Sequence, residues 1–286
     1  MSRIHIKEGI AKALFAGAAG ASILAVALIC VFLFANGVPA LAQIGLPEFL
    51  FGTTWRPAND VYGIFPMIVG SVYVTAGAMV VGVPVGLLTA IFLSRFASGR
   101  VAAVLKPGVE LLAGIPSVVY GFFGLVLIVP FIRANAPGNG LSLVAAAVLL
   151  GIMILPTVIT VAQSALDAVP KKYYEGALAL GADHERSVFR VIVPAATSGI
   201  MAGVVLGVGR AIGETMAVIM VAGNQPVVPE SIFGGLRTMT ANIVLEMGYA
   251  ADLHRGALVA TGVVLFVFIL VITLLFNVIK KRGEMK

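Results

Sequence analysis

Six stretches of this chain are too long and too apolar to belong in water. A helix of about 20 predominantly apolar residues matches the ~30 Å hydrocarbon core of a bilayer, and such runs occur at approximately 13–36, 65–93, 108–132, 141–163, 195–222 and 256–279. In lipid every backbone N–H and C=O must be satisfied inside the segment, so these runs predict helices and exclude open sheets. Composition supports that class. Mean hydropathy is +1.07, and 11% of residues are charged, against about 25% in soluble domains. The expected fold class is all-α: a polytopic membrane protein with six transmembrane helices.

The connecting segments sort by charge. The start (Arg3, Lys7, Lys12), the second connection (Arg95, Arg100, Lys106), the fourth (Lys171, Lys172, Arg186, Arg190) and the end (Lys280, Lys281, Arg282, Lys286) hold 14 of the 19 Lys and Arg. Arg56, Arg133, Arg237 and Arg255 fall on the opposite side, and Arg210 lies within a span. The positive-inside rule then predicts both termini in the cytoplasm of a multi-pass cell-membrane protein. The expected organisation is an N-terminal helix and outer loop over 1–64, a transmembrane domain over 65–280 containing a cytoplasmic loop at 164–194, and a basic cytoplasmic tail over 281–286. The basic start, apolar run and "PALAQ" imitate a secretory signal, but the run exceeds the 7–15 residues of a signal core and is expected to stay as a span. Residues 231–247, partly apolar yet carrying Arg237 and Glu246, are expected to form a re-entrant or interfacial helix on the outer side.

Several kinds of chemistry are excluded. No GxxxxGK[ST] occurs, so the chain has no P-loop of its own. "GVGRAIG" spaces Gly207, Gly209 and Gly213 wrongly for a dinucleotide fingerprint, and no strand precedes it. His5, His184 and His254 are scattered over both membrane faces, and Cys30 stands alone in an apolar run, so neither a metal site nor a disulfide is expected. No Ser-His-Asp or Cys-His grouping converges. The basic residues form no patch for nucleic acid. The chain is expected to be non-catalytic, with no cofactor.

The chain does carry rows of small residues. Gly199, Gly203 and Gly207 recur every four residues, as do Gly82 and Gly86, the pattern that lets membrane helices approach closely. Counted at 100° per residue, Arg210 and Glu214 share a helix face with Gly207 and point toward protein. One reading is structural: the two charges neutralise each other at i, i+4. Such a pair yields only about 0.2–0.5 kcal/mol even at a surface, which does not offset its desolvation. An intramembrane ionisable residue is by default a functional one. A guanidinium at bilayer depth suits a tetrahedral oxyanion, since its fork of donors binds two oxygens at once. Arg210 and Glu214 are therefore the candidate pathway residues.

In the fourth connection, "DAVPKKYYEGALALGADHERSVFRVIVP", Pro170 opens a short helix, Gly181 ends it, and Asp183 caps a second helix running to Pro194. Tyr173, Ala177 and Leu180 share one face. Such a helix lies on a lipid surface or docks a soluble partner.

"EGALALG" followed by "VIVP" resembles the EAA loop of ABC-importer permeases. Glu175, Ala177, Gly181 and Pro194 match at the family's offsets, while Gly176 stands where the family has Ala, and Val191 and Val193 where it has Ile and Leu. "ELLAGIPSVVYGFFGL" (110–125), "GRAIGETMAV" (209–218) and "FLFGTTWRPANDVYGIFPMIVGS" (49–71) resemble phosphate-specific permeases, and the last is similar to the PstC type. The likeness runs from about residue 49 to 260. It implies the type I ABC-importer permease fold and half of a phosphate translocation pathway. It also implies a PstA-type second permease, a pair of ATP-binding subunits engaging the 164–194 loop, and an external phosphate-binding protein. Sulfate and molybdate permeases are the nearest alternatives. A secondary anion transporter would be expected to show inverted repeats and broken helices; Pro84, Pro116 and Pro156 are expected to interrupt spans, but the two halves show no evident repeat. A channel would need rings of charge or carbonyls from several copies.

Overall fold

The computed structural model describes residues 2–284, so Met285 and Lys286 of the expected 281–286 tail lie outside the described residues. The first helix, α1 (Ser2–Ile44), is followed by a short α2 (Leu46–Phe51) and a two-stranded hairpin, β1 (Trp55–Arg56) and β2 (Val61–Tyr62). Then come α3 (Phe65–Ile91), α4 (Gly99–Gly114), α5 (Ser117–Phe123), α6 (Val129–Asn135) and the central α7 (Leu143–Asp167). The 164–194 loop contains α8 (Lys171–Ala179), α9 (His184–Ser187) and the start of α10 (Val193–Ala195). The rest of the chain forms α11 (Thr197–Gly213), α12 (Met216–Val221), α13 (Met239–Glu246) and α14 (Asp252–Glu284). Five segments are long and apolar enough to cross a membrane, namely Ala11–Ile44, Phe65–Phe96, Ser117–Asn135, Leu143–Asp167 and Asp252–Phe276. The sixth is bent: His184–Ala195 meets α11 at 68°.

Close approach of backbones explains why α7 is the hub. A Cβ at Gly82 would stand 2.6 Å from the Gly151 carbonyl oxygen, and one at Gly86 would meet Val158 at 2.9 Å. On the other flank Gly199 faces Ala165, Gly203 faces Val161 and Gly207 faces Val158. Thus α3 and α11 grip α7 from two sides, with Val158 held between Gly86 and Gly207. The small-residue rows act here as packing surfaces. By contrast α1 packs through its C-terminal part on α14, where Gly37 meets Ala260 and Val263 and Ala40 meets Gly256.

Four sequence expectations are corrected. The third span does not begin at 108: the chain breaks at Ile115–Pro116, α4 is a separate helix with no buried residue, and the span is Ser117–Asn135. Pro116 forces the break because it has no N–H and disfavours helix in the residue before it. Pro84 and Pro156, equally expected to interrupt spans, lie inside continuous helices. The first outer loop starts later than 37, since α1 runs through Pro39 to Ile44. Finally, only the second half of 231–247 is helical, as the eight-residue α13.

Candidate functional site

Arg210 occupies the last turn of α11, where the unpaired carbonyls of a helix C-terminus favour a cation by about 0.3–1 kcal/mol. The helix stops at Gly213. Glu214 has an extended backbone (φ −70°, ψ 132°) and lies between α11 and α12. The expected i, i+4 relation on one helix face is therefore wrong. Arg237 pairs with Glu246, His254 hydrogen-bonds to the same carboxylate, and Arg210 and Glu214 make no ion pair with each other. The Glu214 carboxylate turns instead to the start of α12, where Oε1 accepts from the backbone N–H of Thr215 (3.0 Å) and of Ala217 (3.2 Å). A side-chain oxygen satisfying the unpaired donors of a helix start is a capping interaction. Glu214 thus holds a break within an apolar segment, and the Thr240 hydroxyl fixes the same break by donating to the Glu214 carbonyl at 3.2 Å.

Arg210 is left without a counter-charge. Of its five N–H donors, the protein engages one, from Nη1 to Thr157 Oγ1 of α7 at 3.2 Å. Tyr120 of α5 stands within electrostatic range of it. Its phenol donates at 2.8 Å to the Leu112 carbonyl, tying α4 to α5 across the Pro116 break. Gly209 and Gly213, which flank Arg210 in sequence, face open space, for a Cβ at either would touch nothing within 4 Å. A guanidinium with four unengaged donors beside an unpacked helix face can bind an oxyanion without first breaking an ion pair. Sequence reasoning missed Thr157 and Thr240. A signal for Thr157 was present in its position as a polar residue next to Pro156 in an otherwise apolar run.

The 164–194 loop is built as two capped helices. Gly181 has φ 84°, its N–H bonds to Leu178 O (2.9 Å), and the Ala182 N–H bonds to Ala177 O (3.1 Å). This paired 5→2 and 6→1 closure, with glycine in the left-handed position, ends α8. Asp183 caps α9 by accepting from the Arg186 N–H at 2.6 Å. Glu175 and Gly176 are exposed, Ala177 is half-buried, and Leu180 protrudes with 91% of its surface free. Pro194 sits in the first turn of α10. His184 joins the two halves of the loop to the helical turn Phe92–Phe96 that follows α3: its Nδ1 meets the Tyr174 hydroxyl at 2.8 Å and its Nε2 meets the Arg95 carbonyl at 3.1 Å.

Residues 82–283 match the family described as binding-protein-dependent transport system inner membrane component. The chain belongs to that family. This permease is 40% identical over 263 residues to the Bacillus subtilis protein named Probable ABC transporter permease protein YqgH, covering 90% of this chain and 85% of that protein. It is 35% identical to the phosphate transport system permease protein PstC of Mesorhizobium japonicum, covering 84% of this chain and 79% of the relative. In fold it is similar to a chain of a bacterial alginate ABC transporter crystallised with its alginate-bound periplasmic protein. The TM-score is 0.61 at 16% identity, covering 91% of this chain and 93% of that one. The permease is a multi-pass membrane protein with the type I ABC-importer fold, the transmembrane component of a binding-protein-dependent transport complex.

At the end of the permease that bears the hairpin, sequence separation hid a second cluster. Glu246 is buried and accepts from Arg237 Nη1 (2.5 Å), Trp55 Nε1 (2.9 Å) and His254 Nε2 (2.9 Å). Arg237 also donates to Asn242 Oδ1 and to the Asn224 carbonyl. Beside it opens a cleft of about 750 Å³ lined by Asp60, Tyr62, Glu246, Tyr249, Asp252 and His254 among others. Burial, then the hydrogen bond and charge of Asp60, push the Tyr62 phenol up to about 12, so it stays a neutral donor to Asp60 at 3.0 Å.

Proposed function

We propose that this chain is the PstC-type permease subunit of an ATP-driven phosphate importer and forms half of the translocation pathway. The observation that carries the reading is Arg210, a permanently charged group in a membrane span with one neutral partner and four donors to offer. Those donors match a tetrahedral oxyanion, and the relatives named for phosphate transport support phosphate as that oxyanion. In this reading a PstA-type permease supplies the other half of the pathway, a separate pair of ATP-binding subunits hydrolyses ATP, and an external phosphate-binding protein delivers the cargo. Glu214 positions the break next to Arg210 and is not its counter-ion. Purified complex should show ATP hydrolysis stimulated by binding protein loaded with phosphate. Stimulation by sulfate or molybdate equal to that by phosphate would overturn the choice of cargo.

The loop containing Glu175, Gly176, Ala177, Gly181 and Pro194 is, in this reading, the surface on which an ATP-binding subunit docks, with the protruding Leu180 as its apolar contact. Gly181→Val puts a β-branched residue at φ 84°, a strain of about 1–3 kcal/mol. Space is not the obstacle, because no atom lies within 4 Å of the added Cβ. The variant is expected to insert and assemble normally but to lose most substrate-stimulated ATP hydrolysis and uptake. Normal uptake by Gly181→Val would remove the docking assignment.

The charge asymmetry supports a topology with both termini and the 164–194 loop in the cytoplasm and the hairpin outside. Asn59 and Glu185, both exposed, report on this. In intact cells an impermeant thiol reagent should label Asn59→Cys and spare Glu185→Cys. The reverse pattern would invert the topology.

A further inference from the structure

Below Arg210, on the side of the 164–194 loop, α7 carries a polar stripe that the pathway reading does not use. Thr157, Thr160 and Ser164 lie within about 60° of one another at 100° per residue and descend about 10 Å along the helix. The upper member, Thr157, is the partner of Arg210. The lower two open into a cavity of about 220 Å³ between α7 and α4, lined on the α7 side by Thr160, Gln163 and Ser164 and on the α4 side by Lys106 and Glu110. At about 30 Å³ per water, that volume takes a tetrahedral oxyanion with part of its hydration shell.

Its polar groups are poised for such a ligand. Lys106 has no carboxylate within 4.0 Å among the described residues, Glu110 one turn on included. The Thr160 hydroxyl has no protein partner there either. Ser164 donates to the Thr160 carbonyl at 2.8 Å, leaving its oxygen free to accept, and Gln163 reaches Asp167 with a long 3.4 Å contact. The cavity thus offers an ammonium and a hydroxyl as donors beside a carboxylate that can only accept. A carboxylate repels a fully deprotonated anion but accepts a hydrogen bond from one that keeps a proton. At neutral pH phosphate keeps at least one P–OH, whereas sulfate keeps none.

We infer that this cavity is a second transit station, in which Lys106 binds the phosphate oxygens and Glu110 accepts from its remaining P–OH after the ion leaves Arg210. The inference rests on the phosphate-permease reading and deepens it. Because the ammonium and carboxylate nearly cancel, the station holds its ligand weakly and passes it on, as a conduit requires.

The test uses the assembled transporter in a Cys30→Ala background, with Val109→Cys, which lines the same cavity but donates nothing to the ligand, as the reporter and a negatively charged methanethiosulfonate as the probe. Inorganic phosphate is expected to slow modification in a saturable way, and sulfate at the same concentration to slow it far less. Adding Lys106→Gln should raise the phosphate concentration for half-protection by about tenfold, the loss of one charge-assisted hydrogen bond. Lys106→Arg should restore protection, and the control Arg100→Gln on the same helix should not alter it. Absence of phosphate protection, or protection unchanged by Lys106→Gln, would overturn the station. Equal protection by sulfate would overturn the role given to Glu110. Uptake by Arg210→Gln, measured in parallel, separates the two readings. Loss of uptake there with an unresponsive Val109→Cys sinks the second station alone, while undiminished uptake sinks the phosphate pathway itself.

Discussion

Arg210→Gln is expected to lower phosphate uptake by about 10- to 150-fold while leaving assembly intact. That range is what a charge-assisted hydrogen bond of about 1.5–3 kcal/mol contributes. Gln keeps much of the reach and can still donate to Thr157, so packing around α7 should hold. What is lost is the charge, together with the paired donors a tetrahedral ligand uses. Arg210→Lys restores the charge as a point without the fork and is expected to give intermediate uptake. Two further variants separate this from an architectural role. If Arg210 served to neutralise Glu214, Arg210→Gln would strand a carboxylate and Glu214→Gln would rescue it. In the structure Glu214 is committed to the N–H groups of Thr215 and Ala217. Glu214→Gln keeps an acceptor oxygen there and should be mild, whereas Glu214→Ala removes the cap at a cost of about 0.5–2 kcal/mol. The double variant Arg210→Gln with Glu214→Gln should assemble and remain inactive. Uptake near the unmodified rate in that double variant would refute the pathway role.

The spans were legible because bilayer thickness imposes a minimum apolar length that few other constraints produce. Rows of glycine likewise pointed correctly to close packing, since only the absence of a Cβ lets Gly82 approach the Gly151 backbone. The break after Gly213 was not legible. The apolar pattern continues through Val218 and Met220, and what ends α11 is a side chain folding back onto its own neighbours, which hydropathy does not register. Extrapolating 100° per residue across that break produced the false pairing of Arg210 with Glu214. The separation of α4 from α5 was half visible, since Pro116 was singled out, but Pro84 and Pro156 carried the same signal and left their helices continuous. The Glu246 cluster was hidden for another reason. Trp55 is 191 residues away from Glu246, so no local period brings them together.

Arg237→Ala is the substitution expected to damage stability most, by about 3–5 kcal/mol, because it leaves a buried carboxylate without its cation. Arg237 and Glu246 differ from the other pair in every respect that matters. Their side chains retain 15% and 8% of their surface, they touch at 2.5 Å, and both are tied to further groups. Glu246 gathers Trp55 from the hairpin and His254 from the start of α14, while Arg237 holds the Asn224 carbonyl and Asn242. Removing the guanidinium therefore loosens four segments at once. Thermal unfolding of the detergent-solubilised complex should show a large fall in midpoint for Arg237→Ala. Adding Glu246→Gln removes the stranded charge while keeping an oxygen for Trp55 and His254, so it should recover a substantial part of the loss. Residues in direct contact are expected to show such coupling, whereas independent sites add. Arg237 with Glu246 should then be strongly non-additive in stability and Arg210 with Glu214 nearly additive. The reverse result would mean that the fold rests on the pair inside the span, and that the pair at the hairpin end is dispensable.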